Sequence, residues 1–230
     1  MIPLKDINPS RTFPIITVSI IFLCALVWLY EWKLSSKIIF TLQGRVNALD
    51  VFIANYGLVP VLVLERPYTL ITHMFLHGGW FHVIGNMWFL WVFGDNIEDK
   101  LGRFKYVLFY LTVGVLAALT QIAVGLLFGG GDVPMVGASG AVSGVLGAYL
   151  KLFPHARVLA LVPIIFFLTF VELPALLFIG MWFFIQLING VLTLPLSGLG
   201  GVAWWAHIGG FVAGYMLIDK FLGGRRYYLE

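Results

Sequence analysis

Four polar side chains stand in stretches of this chain that otherwise exclude polar groups. Ser139 heads an apolar run in Gly137-Ala138-Ser139-Gly140, and His207 lies inside another, 68 positions on (207 − 139). His82 and Asn86 share a third run, four apart, and so lie on one helix face. Polar and ionisable groups are costly inside a bilayer and tend to mark function. A serine hydroxyl attacks a carbonyl only when a base takes its proton. An imidazole is such a base, and later the acid for the leaving amine. The tetrahedral intermediate then needs donors aimed at its oxyanion. Asn86 offers an amide, His82 a ring N–H, and Ser139 its own backbone N–H at a helix start, where the dipole favours negative charge. No Asp or Glu lies at matching depth in the segments of Ser139 and His207. The pattern therefore reads as a Ser–His dyad, the imidazole oriented by packing or by another hydrogen bond.

These residues need elements that bring them together. The chain has 230 residues, 60% hydrophobic and only 11% charged, whereas a soluble domain carries about 25% charged residues. The deficit points to an integral, multi-pass membrane protein whose partner is the lipid bilayer. A net charge of +3, scattered along the chain, argues against nucleic acid. The one cysteine, Cys24, excludes an intrachain disulfide and reads as a packing residue. The run Thr12–Tyr30 is too long for a signal-peptide core and reads as a retained first span.

A membrane helix needs about 20 apolar residues. On that basis the expected fold is an all-α polytopic membrane protein with six transmembrane helices, forming a single domain over 1–230. The spans fall near 13–30, 80–93, 106–128, 138–152, 174–190 and 203–221. Residues 31–78 form a large membrane-associated first loop, and Gly129-Gly130-Gly131-Asp132-Val133-Pro134 breaks the chain between spans three and four. Val158–Phe170 is apolar but short, so it reads as a re-entrant or interfacial segment. Glu172 reads as a cap for span five and His77 as a cap for the Gly78-Gly79 turn. With both termini inside, 10 of the 14 Lys and Arg fall on the inner side, including Arg225 and Arg226. The outer loops at 129–136 and 190–202 carry none, so N-in and C-in is the expected topology.

Depth then aligns the four polar groups. At about 1.5 Å per residue, Ser139 stands roughly 18 Å above Lys151 and His207 roughly 20 Å above Lys220. His82 and Asn86 stand about 20 and 14 Å above Asp95. Gly210 and Gly214 share the face of His207, and Gly140 and Gly144 repeat a small-xxx-small pattern beside Ser139. Such faces let helix backbones approach closely in lipid, which a short serine needs to reach a histidine on another helix.

The runs Gly137-Ala138-Ser139-Gly140-Ala141, Ala206-His207-Ile208-Gly209-Gly210 with Gly214, and His77-Gly78-Gly79-Trp80 leading to His82 and Asn86 resemble the rhomboid intramembrane serine proteases. The resemblance covers about residues 66–221. It implies cleavage of peptide bonds in or near the transmembrane segments of other membrane proteins, with no cofactor. By carry-over, Ser139 would be the nucleophile, His207 the base, and Asn86 and His82 oxyanion donors. It implies a bacterial inner membrane with the site toward the outer side. The Trp-Arg pair often found in the family's first loop is absent here.

Plainer readings stand beside these. A serine in a membrane helix usually bonds back to a backbone carbonyl, and Ser143 reads that way. His207, His82 and Asn86 could each be helix-helix linkers. His73 and His77 with His82 do not fall on one tight helical face and lack Cys partners, so no metal site is expected. The competing functions are a non-catalytic membrane-helix binder of the same fold, a serine hydrolase acting on lipid, and a solute transporter. A transporter would favour inverted repeats, and none is evident. The Pro/Gly-rich stretch Val191–Trp205 is the expected gate.

Overall fold

The computed structural model describes residues 1–41, 44–164 and 167–223; Arg225 and Arg226 lie outside them. The described chain is mostly helical. The long helices are α1 (Ile15–Ser35), α4 (Trp80–Leu101), α5 (Arg103–Phe128), α6 (Ser139–Leu152), α7 (Ala175–Leu192) and α8 (Trp204–Leu222). Two short helices, α2 (Ala48–Tyr56) and α3 (Thr69–Thr72), lie in the first loop. Among the described residues, α1, α5 and α7 are long and apolar enough by themselves to cross a membrane. Helix α4 carries Asp95, Glu98, Asp99 and Lys100 in its last turns, and α6 has only 14 residues.

Helix α6 is the axis of the bundle, and its residues from Gly140 to Tyr149 are all buried. Its faces explain why so short a helix holds its neighbours. A Cβ on Gly210 would drive into the carbonyl oxygen of Gly140, and one on Gly214 into that of Gly144. Helices α6 and α8 therefore run parallel at backbone contact, as the glycine spacing predicts. On the α5 side, a Cβ on Gly140 would come within 2.7 Å of Ala117 Cβ, and Gly144 meets Val113. That order makes α5 antiparallel to α6.

Helix α1 is held at both ends by buried carboxylates. Glu98 of α4 accepts from the N–H of Ile16 (2.9 Å) and of Thr17 (2.8 Å), and from the Thr17 hydroxyl (2.9 Å). It thereby satisfies orphan donors of the first turn and places a negative charge at the favourable end of the dipole. At the other end, Glu31 accepts from the backbone N–H of His77 at 3.1 Å. His77 is thus a point where the first loop is tied to α1, rather than a cap for the Gly78-Gly79 turn.

The expectation of an all-α fold is wrong in two regions. Strands β1 (Ile2–Asp6), β4 (Arg157–Ile164) and β5 (Phe167–Pro174) form an antiparallel sheet in the order β1-β4-β5. A second hairpin, β2 (Ile38–Thr41) with β3 (Gly44–Asn47), lies in the first loop. The stretch expected to be re-entrant or interfacial, Val158–Phe170, falls on β4 and β5, whose described residues pair antiparallel. Val158 and Ala160 point inward and are fully buried, while Leu168 and Phe170 point outward and are exposed. Both faces are apolar, so no polar alternation in the sequence marks the period of two. Glu172 does not cap α7. It pairs with Arg157 across the hairpin at 3.4 Å.

Strand β1 is fastened at its far end by Asp6. The Tyr149 hydroxyl and the Asn96 amide each donate to its carboxylate at 2.8 Å. Burial pushes Asp6 up to about 6, the Tyr149 hydrogen bond opposing the shift and the Asp95 charge adding to it.

Candidate active site

Helices α4, α6 and α8 run in the same direction, and their first turns converge on one cavity of about 750 Å³. Ser139, His207, His82 and Asn86 all line it. Because α6 is about 21 Å long, it starts below the ends of its neighbours and leaves a bowl over Ser139.

Ser139 is the first residue of α6, and no side chain caps that helix. Its N–H, like those of the next residues, belongs to a helix N-terminus with no carbonyl four residues back. The preceding turn is set by Gly137 at φ +127°, a conformation unfavourable to any residue with a Cβ. A Cβ there would also lie 2.6 Å from His82 Nε2. The turn is fixed from below by the Gly137 N–H donating to the His73 carbonyl at 2.9 Å. From the side, Leu58 and Met135 exchange backbone hydrogen bonds of 2.9 and 2.8 Å. Ser143 bonds back to the Ser139 carbonyl at 2.6 Å, as expected of a packing serine.

The first loop is anchored without the missing Trp-Arg pair. Arg66 donates to the Ala54 carbonyl at 2.7 Å, Tyr68 to Asn55 at 3.1 Å and Thr72 to Tyr56 at 2.7 Å. All three grip the C-terminal turn of α2. Thr69 accepts a hydrogen bond from His73 Nδ1 through its carbonyl at 2.7 Å. Burial pushes His73 down to about 4 and His77 to about 3, so both rings are neutral packing groups.

His82 accepts from the Gly78 N–H at Nδ1, 3.4 Å away. That leaves the ring proton on Nε2, the nitrogen beside the Gly137 turn. Asn86 is 8% exposed, and its Nδ2 is buried with no partner. An orphan buried amide is rare and costs about 1–3 kcal/mol, so the site holds a donor ready for an acceptor that binds there.

His207 lies in the first turn of α8. Its Nδ1 is 2.9 Å from Gln186 Oε1 on α7, and the rings of Trp182 and Trp204 flank it at centroid distances of 6.1 and 6.0 Å. Ser139 Oγ makes no hydrogen bond to His207 in this structure; the two face a shared cavity, with the hydroxyl free. Gln121 of α5 also lines the cavity and accepts from the Ala206 N–H at 3.2 Å, a donor shared with the Ala203 carbonyl at 3.0 Å. Sequence reasoning overlooked both glutamines. The distance-from-helix-end rule that aligned the other four also reaches Gln186, six residues before the last residue of α7.

The segment Thr193–Ala203 between α7 and α8 roofs the cavity, and Thr193, Leu196, Ser197 and Gly200 line it. The roof rests on the turn after α5, where a Cβ on Gly130 would lie 2.9 Å from the Ser197 carbonyl oxygen.

A family model described as the Rhomboid domain matches residues 64–223. Among known proteins, the chain is similar to "Rhomboid protein 1, mitochondrial" of Saccharomyces cerevisiae, 32% identical over 112 residues, which are 48% of this chain and 32% of that one. It is also similar to "Presenilin-associated rhomboid-like protein A, mitochondrial" of Danio rerio, 29% identical over 185 residues, 76% of this chain and 43% of that one. "Presenilin-associated rhomboid-like protein, mitochondrial" of Homo sapiens is 37% identical over 95 residues, 41% of this chain and 24% of that one. The match spans less than half the length of each of these relatives.

Proposed function

Because this chain belongs to the rhomboid family, we propose that it is an intramembrane serine endopeptidase, cutting peptide bonds in or near the transmembrane segments of other membrane proteins. Ser139 is the nucleophile and His207 the general base. Asn86 Nδ2, the His82 Nε2–H and the Ser139 backbone N–H receive the oxyanion. The observation that carries this reading is the orphan Asn86 Nδ2 in the same cavity as Ser139 and His207. Trp28, His77, Tyr110 and Trp205 also hold buried polar atoms without a partner, so what marks Asn86 is its place beside Ser139 and His207. The three helix N-termini around it add positive potential where the negative charge develops.

A substrate carbonyl enters the bowl above Ser139. His207 closes on the hydroxyl and takes its proton as the oxygen attacks; catalytic hydrogen bonds are often loose before substrate binds and tighten in the complex. The developing oxyanion takes the Asn86 and His82 donors. The imidazolium then protonates the leaving amine, and water repeats the cycle on the acyl-enzyme.

The long helices are six spans in this reading, with both termini on the inner side and the cavity toward the outer side. The charged ends of α4, α6 and α8 support that orientation. Lys151 pairs with Asp219 at 2.6 Å and Lys105 donates to the Phe221 carbonyl at 2.9 Å, at the ends of α6 and α8 opposite the cavity. The relatives named above are mitochondrial by name, and the proposal takes no side between that membrane and a bacterial inner one.

The test is cleavage of a labelled single-span helix in proteoliposomes by wild type, Ser139→Ala and His207→Ala. Both variants should lose essentially all activity, and a fluorophosphonate should label wild type at Ser139. Cleavage that persists in Ser139→Ala overturns the reading. Release of fatty acid from the vesicle lipid, with the helix left intact, would replace it with a lipid hydrolase.

A further inference from the structure

A general base works only if its lone pair faces the hydroxyl it must deprotonate. In imidazole the proton sits on one nitrogen, and the partner of that nitrogen decides which. With no carboxylate in this layer, something else must hold the His207 proton at Nδ1. We propose that Gln186 of α7 is the positioning residue for His207, fixing its tautomer and ring orientation. The inference rests on the dyad reading above and adds a third helix to it.

The hydrogen bonds determine the assignment. Gln186 Nε2 donates to the Trp182 carbonyl, one turn earlier in α7, at 3.1 Å. That contact requires the nitrogen of the amide on that side, because two oxygens would repel. The other end of the amide, Oε1, therefore faces His207 Nδ1 at 2.9 Å. A carbonyl oxygen can only accept, so Nδ1 carries the proton and Nε2 keeps the lone pair. Gln186 is 5% exposed, so water does not compete for either end. The ring is held in plane by the flanking Trp182 and Trp204.

The residue type follows from the location. An ionised Asp or Glu would stabilise the imidazolium more strongly, but burying its charge at this depth is expensive. An amide supplies the acceptor with no charge to bury. It gives the correct tautomer while leaving the imidazolium less stabilised than a carboxylate would.

The brace comes from α7, and α7 is held to its neighbours by rings. Phe183 stacks on Phe211 of α8 at 4.2 Å. On the α4 side, Phe89 faces both Phe178 and Trp182 at 6.4 Å, and Phe93 faces Phe178 at 6.2 Å.

The test compares wild type with Gln186→Leu and Gln186→Glu in proteoliposomes, reading kcat, KM, the pH profile and the rate of Ser139 labelling by a fluorophosphonate. It adds ¹⁵N NMR of the His207 ring, which reports the tautomer without any substrate. Gln186→Leu should lower kcat and the labelling rate by about 10- to 100-fold, part of the about 10²–10⁴ that a positioned general base contributes, with KM within about twofold. Its His207 ring should lose the Nδ1–H signature. Gln186→Glu should recover most of kcat and move the acid limb of the profile to higher pH, because a carboxylate raises the imidazole pKa. A purely structural role would not move that limb. Wild-type kcat and an unchanged tautomer in Gln186→Leu overturn the proposal. Failure of the dyad reading shows elsewhere, as cleavage by Ser139→Ala, so the two outcomes are distinct.

Discussion

At the residue scale, the site is legible because polar side chains are so scarce in this chain. Ser139, His207, His82 and Asn86 stand out against apolar neighbours, and their distances from the charged inner ends put them in one layer. Gln186 escaped that reasoning for a physical reason. A carboxylate is the usual partner of a catalytic imidazole in water, whereas here an amide, Gln186 Oε1, faces the ring. Asn86 permits a sharp separation of function from stability. Its Nδ2 satisfies nothing in the resting structure, so Asn86→Ala removes a desolvated orphan rather than a contact. The thermal midpoint in detergent should not fall. The rate of helix cleavage should fall about 10²–10³-fold, the usual loss of one oxyanion donor. A lower midpoint with proportionate loss of rate would make Asn86 a structural residue.

At the element scale, the α6/α8 seam was predictable from glycine spacing, and the β1-β4-β5 sheet was not. Glycine spacing has meaning whatever surrounds a helix, since backbone approach needs the missing Cβ. Strand alternation has meaning only when one face meets water, and here Leu168 and Phe170 on the outer face are as apolar as Val158 and Ala160 on the inner one. The seam gives the next expectation. Gly214→Val should force α8 off α6 at the Gly144 carbonyl, lowering the thermal midpoint and abolishing cleavage together, because Ser139 and His207 ride on the two helices being separated. The sheet gives a pH-dependent one. Asp6 is raised from 3.8 to about 6, so the folded state holds its proton more tightly than the unfolded state. The stabilisation from protonated Asp6 is complete below about 3.8 and is lost as pH rises through about 6. Hydrogen exchange at the β1–β4 ladder should therefore be slower at pH 5 than at pH 7.5 after correction for intrinsic rates. Asp6→Asn should remove the difference.

At the scale of the whole molecule, a short central helix inside a ring of longer ones leaves a bowl above Ser139. The rim is completed by the Thr193–Ala203 segment resting on the turn after α5. A helical substrate must pass that roof or move α7. Cysteines at Gly130→Cys and Ser197→Cys, where the two segments touch, should cross-link the roof shut and stop cleavage, with recovery on reduction; full activity in the cross-linked state would route substrate entirely past α7. The bowl has one further property. Among the described residues lining it there is no Asp, Glu, Lys or Arg. A single charge crossing a bilayer feels about 2.3 kcal/mol per 100 mV, but a site of amides, hydroxyl and neutral rings presents no such charge at rest. Only the transient imidazolium–oxyanion pair senses the field, and it does so as a short dipole. A cell's voltage therefore does no work in assembling this catalytic layer, and energised and discharged membranes should host it equally well.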